Sequence, residues 1–294
     1  MKLTDVIDTE YKNVEEQTKQ PYQNKKSAGI DLLFSLWERE RSFLEKNYIN
    51  IFSSENFYLC IESNLKKEQI KEIALQDITE FSLRGIVLQE EKMFEAYGSF
   101  LSAVINLHHK YTKTNEEYVI HTSHLEKLVH RIGTYNRAHI RVKGNVGERS
   151  GLYMKSGRLL IEGNSSFFLG NHMQGGTIEL FGSTWNAAGE QMSGGTIIIH
   201  ENTTLQAGTN MFGGKLIVMK DADAIGAAQQ GGIIEVRGQV RGDVGTYMQG
   251  GKLYLSEPFT YLGKGYSHGK IYVQNKLVMS RWIRYKNKIK ELFK

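Results

Sequence analysis

The chain has 294 residues, 37 Lys+Arg against 32 Asp+Glu, a formal net charge of +5, two prolines, 30 glycines and one cysteine. That length accommodates two domains with a sizeable core, and the lone Cys60 excludes both a disulfide framework and a cysteine-ligated iron–sulfur cluster built from this chain alone. Residues 1–27 are polar, with charges of both signs and no apolar run, so the expectation is a flexible terminus, no signal peptide, no membrane span and a cytoplasmic address.

Residues 28–136 read as a small α/β (α+β) domain. Ile30, Leu33, Phe34, Trp37, Leu44 and Tyr48 form a helical stripe. The run 57–62 reads as a strand around a core thiol, Cys60; 66–76 reads as a helix opened by Ser63 or Asn64, and 84–88 as a second strand. A long helix is predicted over 90–109, with Met93, Phe94, Tyr97, Phe100, Leu101, Val104, Ile105 and His108 on its apolar side. A strand over 118–121 and a short helix over 124–132 complete a layered unit expected to cover the N-terminal end of the repeats that begin at residue 137. His108, His109, His121, His124 and His130 concentrate here, but they fall on different elements without the spacing of a zinc site, so no metal is assigned.

From residue 137 to 275 one phrase repeats every 18 or 19 residues, with origins at Ala138, Gly157, Gly176, Gly195, Gly214, Gly232, Gly251 and Gly269. Two and four residues after each origin stands an apolar pair, from Ile140/Val142 to Ile271/Val273, the period-2 mark of a strand with one buried side. A further glycine comes later in each unit, and three residues after most of these stands Met154, Met173, Met192, Met211 or Met248, with Gln229 and Tyr266 filling that place in the two shorter coils. One unit cannot bury its apolar side alone, whereas stacked units align equivalent residues into ladders. The predicted fold is therefore mainly β, a parallel β-helix of seven to eight coils, right-handed by the crossover preference of parallel strands. A left-handed hexapeptide helix is excluded because no aliphatic residue recurs every six positions. Gly238, Gly242 and Gly245 sit in the repeat register and are succeeded by another strand, not a helix, so they do not form a dinucleotide-binding loop.

The phrase Met-x-Gly-Gly-x-Ile-x-[Ile/Leu/Val]-x-Gly at 173–182, with degenerate copies around it, resembles the Gly-x-Gly-x-Gly domain that closes the large subunit of glutamate synthase and forms most of one subunit of formylmethanofuran dehydrogenase. The stretch 140–163, IRVKGNVGERSGLYMKSGRLLIEG, looks closest to the formylmethanofuran dehydrogenase subunit. The resemblance covers residues 137–275 and implies a structural and docking element, with cofactors and catalytic residues carried by other chains. The first 136 residues carry no such resemblance.

Residues 276–294 hold seven basic residues and one acid, a net +6, which leaves the rest of the chain at −1. Val278, Trp282, Tyr285, Ile289, Leu292 and Phe293 give this tail the pattern of an amphipathic helix. It reads as a cap over the last coil or as a docking helix presenting Trp282, Arg284, Lys288 and Phe293 to a partner; nucleic acid is not expected. Asn171, Glu190, Thr209, Thr246 and Lys264 align as an outward ladder that also suits docking.

These features are compatible with two functions. The first is a non-catalytic scaffold of a multi-subunit oxidoreductase or amidotransferase, with catalytic partner proteins, no cofactor of its own and no catalytic residue assigned. The alternative is a free-standing enzyme or ligand-binding protein with an anion pocket where the α/β unit meets the first coils, near Tyr135, Arg137, His139, Arg141 and Arg149. Self-association through the solenoid flanks suits either.

Overall fold

The computed structural model describes residues 27–51, 56–84 and 91–280. The expected N-terminal polar stretch, apart from Ser27, lies outside them. Five helices come first: α1 (Ala28–Ile51), α2 (Asn56–Asn64), α3 (Lys67–Lys71), α4 (Leu75–Leu83) and α5 (Glu91–Thr112). Twelve strands come after them: β1 (Glu117–His121), β2 (His139–Lys143), β3 (Arg158–Ile161), β4 (Thr177–Leu180), β5 (Thr196–Ile199), β6 (Lys215–Val218), β7 (Ile233–Val236), β8 (Asp243–Val244), β9 (Lys252–Leu255), β10 (Tyr261–Leu262), β11 (Lys270–Val273) and β12 (Lys276–Ser280).

Ten of the strands form one sheet in the order β1-β2-β3-β4-β5-β6-β7-β9-β11-β12, parallel throughout except for the last pair. Its register puts Ile140, Leu159, Ile178, Ile197, Leu216, Ile234, Leu253 and Ile271 in one ladder, all fully buried. This is a parallel β-solenoid of about eight turns. A second side is held by single-residue bridges, Val146 to Ser165, Thr184, Thr203, Ala222 and Val240 in succession.

The methionines form an interior ladder, each fully buried. In each coil that carries one, the methionine methyl lies under the glycine pair of the next. A Cβ on Gly195, for example, would stand 2.7 Å from Cε of Met173, at a residue whose φ of +84° already favours glycine. Corner residues of other types also adopt positive φ, among them Tyr153, His172, Gln191 and Asn210, and each donates its amide to a carbonyl of the following coil. The strained backbone is thus offset by an inter-coil hydrogen bond.

A polar ladder closes the corner after each strand. Asn145 Oδ1 accepts the Asn164 amide (2.7 Å), Asn164 Oδ1 the Ser183 amide (2.8 Å), and Asn202 Oδ1 the Asp221 amide (3.1 Å). Asn164→Ala should lower stability by about 1 kcal/mol, measured as a shift of the urea midpoint at unchanged slope.

The helical segment differs from the expected α/β unit. The run 57–62 is helix α2: its buried residues Tyr58, Ile61 and Leu65 fall three and four apart, with Leu59 between them 44% exposed, which is helical and not alternating spacing. The expected helix 66–76 divides into α3 and α4, because Asp77 turns back to accept the Ala74 amide (2.8 Å) and starts a new helix. The expected strand 84–88 lies outside the described residues beyond Arg84, as do the side chains of Leu44 and Tyr48. The strand at 118–121 exists as β1, but it pairs with β2 and opens the solenoid one coil before Ala138. Residues 124–132 are turns of that first coil, tied to the second by Gly147 N to Val129 O and Gly151 N to Ile132 O, both 2.8 Å. Among the described residues every strand before residue 137 therefore belongs to the solenoid.

Helix α5 seats on this first coil, and the buried apolar residues of helices and coils form one contiguous cluster. Ser102 Oγ accepts the Gly133 amide (2.9 Å), and Asn106 Nδ2 donates to the Thr134 carbonyl (3.1 Å). At the other end, residues 276–280 form β12 and not the start of a helix. Gln274 (φ 48°) and Asn275 (φ 62°) make a two-residue turn with both φ positive, which folds β12 back antiparallel onto β11.

Candidate functional site

A cleft of about 660 Å³ opens where α2 and the end of α5 meet the corners of the first two coils. Helix α2 contributes Tyr58, Leu59 and Glu62, and α5 with the residue after it contributes Asn106, His109, Lys110 and Lys113. The first coil brings Tyr135 and Arg137, the second Lys155 and Ser156.

Asn106 organises the floor. Its Nδ2 donates to the buried Tyr58 hydroxyl (2.8 Å) as well as to Thr134, while its Oδ1 accepts the Arg137 amide (3.1 Å). Tyr135 packs tilted against Tyr58, ring centroids 5.0 Å apart, and stacks on Tyr153 at 5.1 Å, which stacks on His172 at 4.9 Å. That ladder arises because Tyr135, Tyr153 and His172 occupy the same positive-φ corner in successive coils. Lys155 Nζ lies 5.4 Å from the Tyr135 ring centroid and donates to Gln174 Oε1 (2.6 Å).

The electrostatics are lopsided toward positive charge. Burial, and then the neighbouring Arg137 charge, holds the Lys155 amine below its ordinary pKa. Burial, with Glu62 adding to it, pushes the Tyr58 hydroxyl well above the usual phenol value. Tyr58 is therefore protonated at neutral pH, and its hydrogen has no acceptor among the described residues. His109 Nδ1 is buried and has no hydrogen-bond partner among the described residues.

Arg137 is the most informative residue. Every other arginine among the described residues has a carboxylate oxygen within 3.8 Å. No such pair, and no side-chain hydrogen bond, engages Arg137 among the described residues.

Of the five junction residues named from sequence, Tyr135 and Arg137 line the cleft. His139 is exposed at the start of β2 and does not line it. Arg141 is held between Glu117 (2.6 Å) and Glu162 (2.9 Å), and Arg149 lies 3.8 Å from Glu148 and over the Phe168 ring at 5.2 Å. Trp282, Arg284, Lys288 and Phe293 lie outside the described residues. The outward ladder is partly internal, since Asn171 is buried and donates to the Glu190 carbonyl (3.2 Å). The sequence alone does not single out Tyr58, Glu62, Asn106 or Lys155, and it points to His109 only as one of five histidines without the spacing of a zinc site.

A second surface feature lies on the flank of the coils. Phe167 and Trp185 meet edge to face at 5.9 Å, Trp185 is 64% exposed, and Leu205 on the next coil is 52% exposed. Among the described residues no group of three His, Cys, Asp or Glu is placed to hold a metal ion, and no helix is long and apolar enough to cross a membrane. No family model matches the chain, and no curated protein matches it.

Proposed function

We propose that the chain is a ligand-binding protein that takes a small anionic molecule into the junction cleft. Arg137, unpaired among the described residues, carries this reading. On the neighbouring coils arginines are closed by carboxylates, whereas here the guanidinium fork, suited to oxyanions, faces a cleft with Lys155, Lys110 and Lys113. The Tyr58 hydroxyl supplies a neutral donor beside it. Bound anion also supports the charged form of Lys155, so its amine holds its proton more firmly in the complex.

Titration of the full chain with inorganic phosphate is expected to evolve heat and raise Tm. Arg137→Met, with unchanged far-UV circular dichroism, should bind at least about ten-fold more weakly; equal affinity would move the site away from the cleft.

A second reading, a docking scaffold for a catalytic partner, is favoured by the exposed Trp185 and Leu205 on the flank of the coils. It draws also on the resemblance to the Gly-x-Gly-x-Gly domain and takes the solenoid as right-handed, as crossover preference favours. A stoichiometric partner released by Trp185→Ser would support it; a partner indifferent to that change would count against this flank.

A further inference from the structure

Resting on the anion reading of the cleft, we infer that its ligand is zwitterionic: a small phosphate ester that also carries an ammonium group, the phosphate facing Arg137 and Lys155 and the ammonium facing Glu62. Glu62 lies one helical turn after Tyr58 on α2, lines the same cleft and is half-buried. Although four cationic side chains share that cleft, none of them comes within 4.0 Å of its carboxylate.

Elsewhere on the molecule opposite charges close up. Glu117 and Glu162 both reach Arg141, Glu179 reaches Arg158 at 2.5 Å, and Glu235 reaches Lys215 at 2.9 Å. In the cleft Glu62 comes from α2, whereas Arg137 and Lys155 come from the coil corners. Lys155 donates a hydrogen bond to a neutral amide oxygen, Gln174 Oε1, and not to an acid. The Tyr58 hydroxyl lies within range of both ends. Burial dominates its shift, but Glu62 pushes its pKa up and Arg137 draws it down, so both charges are felt there. A gap with separated, unneutralised charges of both signs is complementary to a ligand with the same separation reversed, and an uncharged donor would satisfy Glu62 less well than an ammonium. The volume of about 660 Å³ is that of a small-molecule site. Phosphate, not carboxylate, matches the excess of cations, because a dianion with three terminal oxygens can meet a guanidinium fork, an ammonium and the Tyr58 hydroxyl together.

Calorimetric titration of the full chain with O-phosphoethanolamine, ethyl phosphate and inorganic phosphate tests this. In the unaltered protein O-phosphoethanolamine should bind about ten-fold more tightly than ethyl phosphate. In Glu62→Gln, which keeps the size of the side chain, that advantage should vanish while ethyl phosphate binds at least as well as before. Equal affinity for the two esters in the unaltered protein would overturn the zwitterion inference and leave the anion site standing. A preference that survives Glu62→Gln would overturn the role given to Glu62. If none of the three compounds binds, the anion reading fails and this inference with it.

Discussion

Gly98→Ala should destabilise the protein by roughly 2–4 kcal/mol, although the same change at a solvent-facing helix position would stabilise it by up to about 1 kcal/mol. A Cβ on Gly98 would overlap the His130 carbonyl oxygen and stand 3.1 Å from Val129 Cγ1. The first coil cannot give way easily. Arg131, at φ 61°, donates its amide to the Glu148 carbonyl (2.8 Å), and Val129 accepts the Gly147 amide (2.8 Å), so both sides of His130 are tied to the second coil. Helix α5 would have to lift instead. That motion strains the Ser102 and Asn106 contacts and displaces the Arg137 amide from Asn106, so phosphate affinity should fall together with the urea midpoint. A midpoint that stays level or rises would show that α5 is not pressed onto this coil. Ser102→Ala removes one acceptor from the same seam and should cost only about 1 kcal/mol.

The solenoid is legible because its strand pairs and methionines recur in register, and a period of 18 or 19 residues admits few other cores. Its beginning is not. The first coil contains the corner glycine, Gly133 at φ +77°, but Asn136 stands where a methionine would be. Asn136 occupies that buried slot by satisfying its own turn, with Nδ2 on the Ala138 carbonyl (2.9 Å) and Oδ1 on the Ala138 amide (3.0 Å). Gln229 and Tyr266 hold the same slot with bonds to the Gly231 and Gly269 carbonyls. A polar residue that caps its own turn therefore replaces methionine without breaking the coil, and a search for Gly-x-x-Met alone starts too late.

The candidate site is half legible for a related reason. Tyr135 and Arg137 sit at a coil corner that must face the preceding unit, so their place at a junction is set by sequence order. Lys155 is marked too: of the residues that succeed the ladder slot, Arg137, Lys155, Gln174, Ser193, Phe212, Gln230, Gln249 and Ser267, only Arg137 and Lys155 are charged. Tyr58, Glu62 and His109 carry no such mark. They reach the cleft through the packing of α2 on α5, and the Asn106–Tyr58 hydrogen bond that fixes it joins residues 48 apart.

As pH falls from 6.5 toward 4 the protein should lose stability that carboxylate titration does not explain. His121 is held at a pKa of about 4, chiefly by burial and further by the Lys143 charge and by His124. Its folded pKa lies below the ordinary 6.5, so the unfolded chain takes up a proton in this window that the folded chain refuses. The loss is absent above about pH 7 and is complete once the folded ring also protonates. It amounts to about 2 kcal/mol for His121 when its partial contact with solvent is allowed for. His108 and His124, held down mainly by burial, act in the same direction. His108 has a second reason to stay neutral. Its Nε2 meets the Ile73 carbonyl (2.9 Å), an acceptor only, and so carries the hydrogen, which leaves Nδ1 to accept from the Tyr118 hydroxyl (2.7 Å). A proton on Nδ1 would force the Tyr118 hydroxyl to turn from donor to acceptor in the tie that joins the α3–α4 turn, α5 and β1. Carboxylates act at a different pH: Glu235, held low by Lys215, contributes stability above about its ordinary 4.5 and loses it only as pH falls below. Urea midpoints measured from pH 7.5 to 4.5 should therefore decline from about pH 6.5, and His121→Gln should flatten the slope. A midpoint level down to pH 5 would mean that these rings protonate freely in the folded protein and that the seam between helices and first coil is open to water.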